Sequence, residues 1–236
     1  MTDQRPTPRS DGTLTDAPRS ELDRFLAEVK GLTPAAPGSR GRLIFALDAT
    51  QSRQSTWDTA CELQAEMFRE VATAGGLDMK LVYYRGLGEC KASGWIPHPE
   101  QLAKTMSRIV CAAGHTQIEK VLTFAQKEAK LLPVNGLVFV GDAMEENPDA
   151  LAHEAGELGR LGVRAFMFQE GHDREVEQVF REIVRLTRGA YCRFDPGAAR
   201  QLAELLRAVA VFAVGGVAAL ANRHDAGAIK LLGQLK

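Results

Sequence analysis

Apolar residues along this chain fall into two kinds of pattern. Continuous runs stand at LIFAL (43–47), LVYY (81–84), LVFV (137–140) and AFMF (165–168). A run without polar alternation predicts a strand covered on both faces, as in a parallel sheet. YCRF (191–194) is a weaker run and suits a strand nearer the sheet edge. Between the runs, apolar residues recur at helical spacing. Trp57, Cys61, Met67, Phe68 and Val71 mark one helix, stopped by Gly75-Gly76, and Leu102, Met106, Ile109 and Val110 mark a second. Ile118, Val121, Leu122 and Ala125 mark a third. Asn147-Pro148 opens a fourth with Leu151, Ala155 and Leu158, ended by Gly162. Val176, Val179, Phe180 and Ile183 form a fifth, stopped at Gly189. Asp195-Pro196 opens the sixth, with Leu202, Leu205, Leu206 and Val209.

Alternation of this kind predicts an α/β fold, a Rossmann-like, doubly wound and mostly parallel six-stranded sheet with helices on both faces. The segment ECKASGW (89–95) follows Tyr84 too closely for a crossover helix, so it returns as a hairpin and supplies one short antiparallel edge strand. Residues 1–18 offer almost nothing to bury and read as a disordered arm. Residues 19–41 read as a short helix and linker, with a Ser20/Asp23 capping pattern, an apolar face of Leu22, Phe25, Leu26 and Val29, and a breaker at PAAPGSRG. The main domain is expected over 42–212 and a C-terminal helical extension over 213–236.

Composition narrows the class. The 236 residues are 45% hydrophobic and carry 29 basic against 30 acidic side chains, a formal charge of −1. That balance argues against a dedicated nucleic-acid binder. The four cysteines are widely spaced, with no CxxC pair, which argues against a disulfide framework or a zinc site. The longest apolar run, Ala208 to Ala221, falls short of the ~20 residues of a spanning helix and contains Gly215-Gly216. The N-terminal residues lack an apolar signal-peptide core. A cytoplasmic protein with no membrane partner is the expectation.

Ligands of open parallel sheets collect at the carboxyl ends of the strands, near the point where strand order reverses. Three segments put oxygen groups there: Asp48-Ala49-Thr50-Gln51-Ser52 after the first strand, Gly114-His115-Thr116 before the Ile118 helix, and Gly141-Asp142 after LVFV. Each alone has an ordinary structural explanation. Asp48, Thr50 and Ser52 can satisfy a loop and cap a helix, and Thr116 with Glu119 has the spacing of a capping box. Together they form an oxygen-only set of two carboxylates and three hydroxyls, which suits the hard cation Mg²⁺. His115 reads as a polar loop residue, Glu145 and Glu146 as solvated, and Trp57 and Trp95 as packing residues. The stretch HDREVEQVFRE (172–182) reads as the wet face of a helix. No P-loop, dinucleotide, GxSxG or HExxH motif is present in the sequence.

The ordered set Asp48-x-Thr50-x-Ser52, Thr116 and Asp142 resembles the metal-ion-dependent adhesion site (MIDAS) of the von Willebrand factor A (VWA) family, in the manner of its cytoplasmic bacterial-type members, over about Leu43 to Val211. Two positions depart from the family's DxSxS: Thr50 stands for the middle Ser, and Gln51 for a common Gly. Asp142 lies in GDAMEE instead of the frequent TDG. The resemblance implies Mg²⁺ or Mn²⁺ bound by Asp48, Thr50, Ser52, Thr116 and Asp142. Thr50 and Ser52 would ligate directly, the two Asp would neutralise the ion through water, and Thr116 would bind directly or through water. It further implies a non-enzymatic interaction module that takes an exposed Asp or Glu of a protein partner, within an ATPase-linked or chaperone-linked assembly. Two alternatives stand beside it. A haloacid-dehalogenase-type phosphohydrolase would also place Asp48 and Asp142 around Mg²⁺, but Thr50 holds the position where its acid/base carboxylate is needed. A metal-free scaffold of the same fold is the other.

Overall fold

The computed structural model describes residues 40–53, 76–195 and 199–235, all within the unit Pro34–Lys236. The helix expected around Trp57 to Val71, the N-terminal arm and the 19–39 helix and linker lie outside the described residues. Six strands form one sheet: β1 (Gly41–Asp48), β2 (Leu77–Arg85), β3 (Glu89–Ala92), β4 (Gly136–Gly141), β5 (Arg164–Glu170) and β6 (Ala190–Phe194). Their spatial order is β3-β2-β1-β4-β5-β6. Every neighbouring pair is parallel except β2 with β3, the hairpin that the short 84–89 spacing required. The helices are α1 (Pro99–Met106), α2 (Ile118–Leu131), α3 (Pro148–Arg160), α4 (Arg174–Thr187), α5 (Ala199–Ala221) and α6 (Ala226–Leu232).

Covering on both faces explains the unbroken apolar runs. Ile44, Ala46, Val82, Tyr84, Leu137, Phe139, Ala165 and Met167 join one core with Ile118, Val121 and Leu122 of α2, Leu151 and Leu158 of α3, and Val176, Phe180 and Ile183 of α4. Within it Phe139 stacks on Tyr84 and meets Phe180 edge-on, with centroids 6.2 and 5.5 Å apart. On the opposite face Leu43, Phe45, Val138 and Phe166 are equally buried. There α5 packs against the sheet, and Phe212 meets the Phe166 ring edge-on at 5.3 Å.

The helix ends follow local chemistry. Asn147 caps α3, its Oδ1 accepting from Asp149 N (2.8 Å) and Ala150 N (3.2 Å), with Pro148 at the first turn. Asp173 caps α4 in the same way, accepting from Glu175 N and Val176 N. The second predicted helix stops at Met106, earlier than the apolar spacing suggested. Val110 lies beyond it and is exposed, so it belongs to the loop and not to the stripe. Trp95 is a packing residue, with the Arg42 guanidinium 3.9 Å over its ring and its Nε1 donating to Glu128 (3.0 Å).

By length and composition Arg200–Ala221 could cross a membrane, yet 56% of its most apolar window is buried within this fold. Gly216, at φ 65°, kinks α5 near its end. The helix runs on past Phe212, and α6 then folds back on it, with Asp225 accepting from Ala228 N at 2.9 Å.

Gly41 is where α5 comes closest to the sheet. A Cβ there would lie 2.5 Å from the Ala213 carbonyl oxygen, a backbone atom with no rotamer to escape into. Gly41→Ala should therefore destabilise the domain by about 1–3 kcal/mol, an overpacking cost read from urea unfolding midpoints. An unchanged midpoint would mean that α5 is held less tightly than this.

Candidate functional site

The sheet order places the reversal point between β1 and β4, since the chain leaves β1 toward β2 and later returns on the other side at β4. Leu47 pairs with Val140 in register, so Asp48 and the Gly141-Asp142 step emerge side by side at the carboxyl edge. Asp48 also pairs with Tyr84, the penultimate residue of β2. The strand apposition alone brings Asp48, Asp142 and Tyr84 to one crevice.

Asp48 ends β1 with no exposed surface. Its Oδ1 accepts from Thr50 N at 2.7 Å, and the Thr50 and Ser52 hydroxyls lie 3.1 Å apart across the short 3₁₀ turn Gln51–Arg53. The three residues of DxTxS are thus one local hydrogen-bonded unit. The other oxygen, Oδ2, is buried and meets no donor within hydrogen-bond geometry among the described residues. Asp142 Oδ1 and the Tyr84 hydroxyl share that condition. Burial, and then the Asp142 charge, push the Asp48 carboxyl above its usual range against the pull of its bonds to Thr50. Burial, then the charge and the close approach of the Asp48 carboxylate, then the charges of Glu146 and Asp142, hold the Tyr84 phenol well above its ordinary value. Tyr84 therefore belongs beside these carboxylates, next to Asp48 by strand register. The run LVYY disclosed it only as a strand residue, and its pairing opposite Asp48 is the signal that identifies it.

Thr116 is buried and arrives from the loop before α2. Ala112 N donates to Ala49 O (3.1 Å) and His115 N to Gly86 O (3.2 Å), which ties this loop to the DxTxS turn and to the β2–β3 turn. Gly114 permits the approach, because a Cβ there would stand 2.1 Å from the Gly86 carbonyl oxygen.

The expected Thr116/Glu119 capping box does not form. The α2 cap is Gln117, without a side-chain cap bond, and the Thr116 hydroxyl is engaged elsewhere. It accepts from Glu145 N (2.9 Å) and donates to Glu146, while Thr116 N donates to Glu145 Oε2 (3.1 Å). Glu146 Oε1 takes the Glu119 N–H at 3.2 Å, supplying the cap from outside the helix. The expectation of a solvated side chain is therefore corrected for Glu146, whereas Glu145 is exposed as expected and still bonded to the Thr116 loop. Glu146 is partly buried and bonded at both oxygens, and Glu145 binds Thr116 and the exposed His115 (2.8 Å). These bonds cross between loops about 30 residues apart in sequence, which local spacing does not reveal.

Among the described residues, no three His, Cys, Asp or Glu side chains are arranged to hold a metal ion. Any ion here rests on two carboxylates and the hydroxyls. The residues fit such an ion in kind: two buried carboxylate oxygens lack partners and the neighbouring hydroxyls are hard oxygen donors.

A doubly wound sheet with one antiparallel edge strand is the fold of von Willebrand factor A domains. Solved structures agree. The chain is similar to a von Willebrand factor type A protein from Catenulispora acidiphila (TM-score 0.60, 17% identity, covering 75% of this chain and 43% of that one). It is similar to the SpRpn10 VWA domain (TM-score 0.55, 9% identity, 70% and 95%). It is also similar to the vWF domain of the type V pili tip protein Mfa5 from Porphyromonas gingivalis (TM-score 0.56, 10% identity, 72% and 94%). The chain thus spans under half of the Catenulispora protein and nearly all of the two isolated domains. No family model matches the sequence, and no curated protein matches it.

Asp48→Asn tests the electrostatics of the crevice. The amide keeps Oδ1 for Thr50 N and removes a buried charge. Because the folded state raises the Asp48 value, the native protein holds that proton more readily than the unfolded chain, and ionisation with rising pH costs stability. In chelator the variant should melt above the wild type at neutral pH. The gap should close as pH falls to the ordinary Asp value of about 4 and below. Scanning calorimetry across that range reads both, and a wild type at least as stable at neutral pH would contradict the assignment.

Proposed function

We propose that this domain is a non-enzymatic protein-interaction module that works through a divalent cation, Mg²⁺ or Mn²⁺, at the carboxyl edge of β1 and β4. The observation that carries this reading is the pair of buried, partnerless oxygens, Asp48 Oδ2 and Asp142 Oδ1, beside the Thr50 and Ser52 hydroxyls. A buried ionised oxygen without a hydrogen bond is costly, and a cation is the partner that would relieve it. Asp48, Thr50, Ser52, Thr116 and Asp142 would hold the ion, which when bound supplies a Lewis-acidic position for an oxygen ligand from another molecule.

The chain's own residues have plain roles in this reading. Asp48 and Asp142 supply negative charge from two adjacent strands. Thr50 and Ser52 bring hydroxyls on a turn fixed by the Asp48–Thr50 bond, and Thr116 brings a third from a loop fastened to both neighbours. The ligand that suits a hard cation is an exposed Asp or Glu carboxylate of a protein partner. Hydrolysis is not part of the reading, because Thr50 stands where a phosphohydrolase of this geometry needs a second carboxylate.

Calorimetric titration of the purified protein with Mg²⁺ or Mn²⁺ should show one site, absent in Asp48→Ala. No binding by the wild type would overturn the proposal in favour of a metal-free scaffold. Turnover of a generic phosphomonoester in Mg²⁺ would overturn it in favour of an enzyme. Thr116→Ala keeps both Asp charges and deletes a hydroxyl that carries two bonds. It should weaken ion binding while costing about 1–2 kcal/mol of stability in chelator.

A further inference from the structure

We infer that Glu146 is a positioning residue of this site, holding the Thr116 hydroxyl in place and adding a third negative charge to the Asp48–Asp142 pair. The inference rests on the cation reading above. Glu146 lies on the loop that leaves Asp142, and it reaches across to the loop before α2. Its Oε2 accepts from Thr116 Oγ1, and its Oε1 accepts from Glu119 N at 3.2 Å. Both oxygens hold neighbouring donors, and the contact to Thr116 Oγ1 is the one through which it acts on the site.

The bonds at Thr116 say what that action is. A hydroxyl has one hydrogen and two lone pairs. Glu146 takes the hydrogen and Glu145 N occupies one lone pair, at 2.9 Å. One lone pair is left, with its direction fixed by the other two contacts. A hydroxyl that donates to a carboxylate is also polarised toward greater negative charge on oxygen, which makes it a better donor to a cation. The contacts join the Asp142 loop to the Thr116 loop, so a shift of either moves the other.

Charge is the second consequence. The Glu146 carboxylate lies one hydrogen bond from the Thr116 hydroxyl that would face the ion, which brings a third negative charge to the site. Two carboxylates facing a divalent ion sum to zero, whereas three leave the loaded site at −1. An additional anion in a partly buried setting strengthens the hold on a cation and repels an incoming carboxylate. Glu146 therefore trades partner affinity for ion retention, and a carboxylate partner must bring compensating positive charge beside its Asp or Glu.

Glu146→Gln removes the charge and keeps one of the two acceptors, so that its Oε1 can still take the Thr116 hydrogen while the bond from Glu119 N is lost. Glu146→Ala removes the charge and both acceptors. Mn²⁺ titrations of wild type and both variants, at low and high salt, are paired with melting in chelator. In Glu146→Gln the Mn²⁺ affinity should fall about tenfold at low salt and by less at high salt, as expected of a screened charge. Its melting temperature in chelator should lie above that of Glu146→Ala, since one acceptor remains and a like charge is gone. Glu146→Ala should lose at least as much Mn²⁺ affinity and also melt lower. Wild-type Mn²⁺ affinity retained in Glu146→Gln would overturn the inference and leave the cation reading standing. A wild type that binds no Mn²⁺ would overturn the cation reading and this inference with it.

Discussion

Asp48 closes a strand in which every side chain from Leu43 onward is buried, and its carboxylate goes into the protein with them. One oxygen is answered by Thr50 N, and the other meets no donor within hydrogen-bond geometry among the described residues. Apolar strands at the centre of a parallel sheet cannot compensate a charge, so the surroundings of that second oxygen decide how the crevice is built. Asp142 and Tyr84 are drawn to it by register, and each brings its own partnerless oxygen. The domain thus carries, at the reversal point of its sheet, two carboxylates that pair with no cation among the described residues.

The loops around this point are held by bonds that do not depend on it. Thr116 is clasped by Glu145 and Glu146, the 109–117 loop is fastened to Ala49 and Gly86 through backbone groups, and Gln117 reaches the carbonyls of the β2–β3 turn. The backbone that presents these side chains is itself hydrogen-bonded across the loops. Such an arrangement is organised before a ligand arrives, which lowers the ordering cost of binding.

Much of this was readable from the sequence, and the reasons are specific. Strands buried on both faces leave continuous apolar runs, so LIFAL, LVFV and AFMF located β1, β4 and β5 and, through their ends, Asp48 and Asp142. The short step from Tyr84 to Glu89 determined the antiparallel edge. Three things escaped. Val110 continued an apolar spacing that the chain did not continue as helix. Tyr84 looked like any buried aromatic, because its hydroxyl matters only through its place opposite Asp48. Glu146 looked solvated because its partners, Thr116 and Glu119, lie in another loop, and the Thr116/Glu119 spacing pointed to a local cap that the long-range bonds displaced.

The β2–β3 turn is fastened mainly by its main chain. Gly86 O accepts from His115 N and Gln117 Nε2, and Gly88 O accepts from Lys120 Nζ. Between these anchors the Leu87 side chain is 88% exposed. Its identity contributes little to the attachment, although the turn stands on the same sheet edge as Asp48. A cysteine exchanged in at Leu87 and coupled to a dye would accordingly sit on a rigid mount without touching the core. That gives the domain a natural vantage point from which fluorescence can watch arrivals at the crevice, whatever their chemical nature.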